Sequence, residues 1–141
     1  MKRLYGYEVS ELLREYRIRP LISDDSYALP SPSWVARAFA RAWMRFLDHM
    51  RAGGYVEDAH DCDDFARLCA AYAQLCHRDT KRARGGLLFG EFWFHRDDGG
   101  HALNVFLDPS SDPPLRFFEP QIGKVVRLSR DEIETCFHCR F

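Results

Sequence analysis

The chain has 141 residues, 46% of them hydrophobic and 14% aromatic, and a formal net charge of −1. That length and apolar content are enough for a packed core and exclude a disordered chain. The near-neutral balance gives no global pull toward nucleic acid or an anionic membrane, and no apolar run approaches the roughly 20 residues that span a bilayer.

The N-terminal run Met1-Lys2-Arg3-Leu4-Tyr5-Gly6-Tyr7-Glu8 has basic residues but lacks the apolar stretch of a signal peptide, so a cytoplasmic location is expected. Ser10 predicts a cap for a short helix from Glu11 to about Arg17, stopped ahead of Pro20. A polar loop with Pro30 and Pro32 follows. A long helix is then predicted from Pro32 or Ser33 to Arg51, with Gly53-Gly54 as its stop. Its apolar residues Trp34, Val35, Ala38, Phe39, Ala42, Phe46 and Leu47 fall at helical spacing.

Asp61 is a good N-cap for the next helix, and Asp64 completes a capping-box pattern. Phe65, Leu68, Cys69, Tyr72, Ala73 and Cys76 form its apolar stripe. The stretch from His77 to Gly86, with Arg78, Lys81, Arg82 and Arg84, reads as a solvated basic loop. After Gly86 the period becomes strand-like: Leu87 to His95, His101 to Asp108, Leu115 to Glu119 and Lys124 to Leu128. Asp97-Asp98-Gly99-Gly100 is a tight hairpin signal. Ser129 with Glu132 opens a short C-terminal helix. Residues 1–141 therefore read as one α+β domain, N-terminal helices followed by an antiparallel sheet.

Five cysteines cannot all pair within one chain. Cys62, Cys69 and Cys76 share one helix face but stand roughly 10 Å apart per step, beyond disulfide reach. Cys69 and Cys76 read as small buried hydrophobes, which fits a reducing compartment.

Cys62 differs because it opens its helix, facing the positive end of the peptide dipoles, which favours thiolate. Asp63 and Asp64 oppose that by raising a thiol pKa. His101 is the candidate partner base, with Gly99-Gly100 allowing the sharp turn ahead of it. Alternation puts His101, Leu103, Val105 and Leu107 on one strand face, and Ala102, Asn104 and Phe106 on the other. Folding back the next strand pairs positions summing to roughly 220–224, so Glu119 or Gln121 lies opposite or diagonal to His101. An acid there fixes the imidazole tautomer, while the other ring nitrogen takes the thiol proton. Asp108 is a weaker third member, about 20 Å along the strand.

The runs Cys62-Asp63-Asp64-Phe65-Ala66, His101-Ala102-Leu103-Asn104-Val105 and Phe118-Glu119-Pro120-Gln121 resemble the papain-like protease domain at the C-terminus of mushroom lectins of the Marasmius oreades agglutinin type. They are also similar to bacterial transglutaminase-like cysteine peptidases. The resemblance implies a papain-like/transglutaminase-like core and a cysteine protease acting through an acyl-thioester. It implies Cys62 as nucleophile, His101 as base and Glu119 as orienting acid, with Gln121 and Asn104 in secondary roles and a protein or peptide as substrate. No cofactor is required, but the calcium activation of the lectin enzymes makes Asp63 and Asp64 candidate Ca2+ ligands. Three other readings stand beside it. One is a catalytically silent binding or immunity-type domain of the same fold. Another is a transamidase or deamidase using the same three residues. The last is a metal or redox module on Cys136-Phe137-His138-Cys139, half of a zinc site.

Overall fold

The computed structural model describes residues 2–80 and 84–141. Lys81 and Arg82 of the expected basic loop lie outside the described residues. β1 (Arg3–Tyr5) leads directly into α1 (Gly6–Arg14). Glu8 accepts the Tyr5 N–H at 2.7 Å and closes a capping box, so the helix starts at Gly6 rather than Glu11. Ser10, the expected cap, lies inside the helix and donates its hydroxyl back to the Gly6 carbonyl at 3.1 Å. β2 (Ser26–Ala28) pairs antiparallel with β1, and β3 (Gly86–Leu87) pairs parallel with β2, making a small three-stranded sheet. Helices therefore do not simply precede strands, as the chain order had suggested.

Ser31 caps the long helical segment by accepting the Trp34 N–H at 3.2 Å. That segment is α2 (Pro32–Trp34), a π-helical stretch Val35–Phe39, and α3 (Ala40–His49). It ends at His49, and Arg51 turns the chain away with φ 53°. α4 (Cys62–Arg78) begins where the Asp61–Asp64 pattern placed it.

The main sheet follows as β4 (Phe89–Arg96), β5 (Gly99–Leu107), β6 (Leu115–Glu119) and β7 (Lys124–Val126), then α5 (Arg130–Glu134) and β8 (His138–Arg140). Its order is β7-β6-β5-β4-β8, antiparallel throughout. Gly99, at φ 127°, supplies the hairpin conformation between β4 and β5 that a side chain would strain.

Each face of this sheet covers its own core. On one face Phe89, Phe106 and Phe118 pack with Phe39, Trp43, Phe65 and Cys69 of α3 and α4 and the π stretch. On the other, Phe92, Phe94, Leu103, Val105 and Phe117 pack with Val9 and Leu13 of α1 and Ile133 of α5. Burying each such side chain contributes about 1.5–3 kcal/mol, so two apolar faces are what hold a sheet between two helical layers. Among the described residues no helix is long and apolar enough to cross a membrane.

Candidate functional site

β6 pairs with β5 from Leu115 opposite Leu107 up to Phe118 opposite Asn104, and there the pairing stops. Beyond it β5 continues through Ala102 and His101 with β4 as its strand partner. The ladder register puts Glu119 diagonal to His101 on the same face, within the range that alternation predicted. His101 Nε2 and Glu119 Oε2 are 2.7 Å apart, with side chains only 18% and 13% exposed. Among the described residues Nδ1 of the ring has no hydrogen-bond partner. The ring also meets Phe94 edge-on at 5.8 Å, which fixes its plane.

Glu119 is itself anchored. Its second oxygen accepts the Gln121 N–H at 3.3 Å, and its carbonyl accepts the Gly123 N–H at 2.9 Å. The turn after it is tied to α3 by the buried Trp43 indole, whose Nε1 donates to the Pro120 carbonyl at 2.7 Å. Gln121 thus contributes a main-chain donor here.

Cys62 reaches the same place from α4. Cys62 opens α4, and the Ala102 backbone N–H lies near enough to its sulfur to pull the thiol pKa down. Asn104 works from the opposite sheet face. Its Nδ2 donates to the Ala66 carbonyl at 2.7 Å and the Gly90 carbonyl at 3.0 Å, clamping the start of α4 onto β4 and β5. His60 holds the loop before α4, with Nε2 2.8 Å from the Ala52 carbonyl and its ring 4.1 Å from that of Phe65. Neither His60 nor the Ala102 N–H was singled out by the sequence. A backbone donor leaves no mark in residue identity, and a loop His has no periodicity to flag it.

The electrostatics run against a reactive thiolate. Burial is the largest influence on the Cys62 thiol and pushes its pKa up. The Ala102 N–H and the helix's own N–H pull it down, but Asp61 and Asp63 push it up again. Burial prevails, and the thiol pKa lies above its ordinary value.

The neighbouring carboxyls of Asp61 and Asp63 act on each other so that the first is held below the ordinary carboxylate range and the second above it. Ligand atoms of Asp61, Cys62 and Asp63 lie within 4.8 Å of one another, the one such group among the described residues. Calcium takes six to eight oxygens, and this set is two carboxylates and a soft thiol. Asp63 and Asp64, expected as its ligands, spend oxygens on Arg67 at 3.3 and 3.6 Å, and the set does not fit calcium well. Nor is the zinc half-site completed among the described residues. Cys136 donates to the His138 carbonyl at 3.4 Å and Cys139 is buried in the core.

The fold is that of a mixed helix and sheet domain. The chain belongs to the Agglutinin C-terminal family, which matches residues 27–125. Two solved structures share the fold, each with a TM-score of 0.78. The "PSL1a-E64 complex" is 21% identical and is covered over 51% of its chain. The Polyporus squamosus lectin bound to the human-type influenza-binding epitope Neu5Acα2-6Galβ1-4GlcNAc is 22% identical and covered over 49%. Both alignments take in 99% of the present chain, which therefore spans about half the length of either structure. At that identity the likeness is one of fold. No curated protein sequence matches the chain.

These findings correct the expectation of an enzyme. Hydrolase, papain-like and cysteine-protease readings give way to an agglutinin-family domain with lectin neighbours.

Proposed function

We propose that the domain is a binding module that retains the Cys62–His101–Glu119 cluster without turnover, and that its ligand is a glycan held at the open end of β5. The observation that carries this reading is the agglutinin family match, which spans all three cleft residues. The site supports it chemically. A half-buried imidazole–carboxylate pair is a fixed polar fork, and hydroxyl-rich ligands are oriented by a few such placed groups. The thiol beside it, its pKa raised by burial, offers a weak donor.

The trisaccharide named with the Polyporus squamosus lectin supplies the first probe. Calorimetric titration of the full chain with it, and an array of related glycans, should give saturable binding. Glu119→Gln should weaken that binding about tenfold by unseating His101, with folding intact by circular dichroism. In parallel, wild type and Cys62→Ala are incubated with unfolded protein. No fragments that depend on Cys62 are expected. Failure of every glycan to bind, or cleavage that vanishes in Cys62→Ala, would refute the proposal.

A further inference from the structure

At the far end of β5 from His101 lies a second concavity that the cleft does not use. It has a volume of about 480 Å³ and is walled by Leu29, Pro30, Trp34, Leu87 and Leu107. That size falls within the range of small-molecule sites, and walls of this kind suit an apolar body. The walls are fixed before any ligand arrives. Gln74 bonds both ways to the backbone of Leu87, at 2.8 and 3.0 Å, and the Leu29 N–H donates to the Lys2 carbonyl at 2.9 Å.

The polar groups around it are few and favour an anion. Lys2 stands at the rim, exposed, and among the described residues makes no ion pair. Asp108, the rim's carboxylate, is turned into its own loop, where it accepts both the N–H and the hydroxyl of Ser110. Those two bonds hold the carboxylate in that turn, and among the described residues it makes no ion pair with Lys2. His77 forms part of the lining, is only 5% exposed, and its Nε2 has no hydrogen-bond partner among the described residues. A buried polar nitrogen left unmet in a cavity wall marks where a partner belongs.

We propose that this cavity binds a small amphiphilic monoanion, an aromatic or medium-chain carboxylate, with its apolar body between Trp34 and Leu107 and its carboxylate on the Lys2 and His77 side. The site is separate from the cleft, so it stands whether or not the glycan reading does.

Octanoate is the probe, titrated into the full chain and followed by calorimetry and backbone amide NMR. One saturable site is expected, with shifts concentrated at Leu29, Leu87 and Leu107 and none at Cys62 or Ala102. Octanamide, the neutral counterpart, should bind at least tenfold more weakly. Lys2→Glu, an exposed substitution that does not touch the core, should cost octanoate at least tenfold and leave octanamide unchanged. Pro109→Trp, blocking the mouth from the surface loop, should abolish both. Non-saturating binding, shifts centred on the cleft, or equal octanoate affinity in wild type and Lys2→Glu would each overturn the assignment.

Discussion

Asn104 donates from one amide nitrogen to two carbonyls, Ala66 on α4 and Gly90 on β4, and is itself fully buried. Truncation would take that donor from both acceptors in a dry interior, where such a loss costs about 1–3 kcal/mol. Asn104→Ala is expected to reduce the unfolding free energy by that amount in urea denaturation. Asn104→Asp should cost more, because a carboxylate would face two carbonyl oxygens. A loss below about 0.5 kcal/mol for Asn104→Ala would mean that packing alone seats α4. The same residue shows what alternation can tell in advance. It separates Asn104 from His101 by sheet face, while placing Glu119 on the face of His101. The contacts then depend on where β6 stops pairing, and that is a property of the turn at Pro120 rather than of any residue type.

At the scale of elements, the β4–β8 crossing depends on a missing side chain. A Cβ at Gly90 would press into the Arg140 carbonyl and the Phe141 ring. Because backbone cannot give way as a flexible side chain can, Gly90→Ala should destabilise by at least about 2 kcal/mol. Thermal unfolding of Gly90→Ala beside Gly53→Ala, where a Cβ meets nothing within 4 Å, checks this; equal melting points would contradict it. α4, α5 and the three longer strands β4, β5 and β6 were legible because each offers either a cap signal or enough residues to establish a period. β1, β2 and β8 are three residues each and β3 is two, too short for alternation to register. Their pairing is decided by partners far along the chain, as when Tyr27 of β2 meets Gly86 of β3. The entropy cost of closing so long a loop grows only slowly with its length, so tertiary packing on either side can sustain the pairing. The π stretch was equally hidden, since Trp34, Val35 and Phe39 satisfy an ordinary helical spacing, and the contacts of Phe39 with Phe89 and Phe118 come from strands far along the chain.

For the molecule as a whole, the order of thiol, imidazole and acid along the chain was readable, and the fold joins the imidazole and the acid at one end of β5. What the cleft does was not readable from that order. A cysteine's reactivity is set by the desolvation and charge around its sulfur, and those exist only once both cores have closed. All five cysteines are free, and each thiol is pushed up with burial as the first cause. Alkaline stability follows from these buried thiols. An unfolded thiol loses its proton near pH 8.5, whereas Cys136 in the folded chain holds its own up to about 12. Between those values the native state binds more protons than the unfolded state, so stability falls as pH rises, by up to about 1.4 kcal/mol per pH unit for each such thiol. Below about pH 8.5 both states hold the proton and the effect vanishes. Urea midpoints measured from about pH 7.5 to 10.5 should therefore be flat at first and then decline. In Cys136→Ala the decline should be shallower by one proton's worth, even if the variant starts from a lower midpoint. Parallel declines in the two proteins would show that Cys136 ionises as readily folded as unfolded.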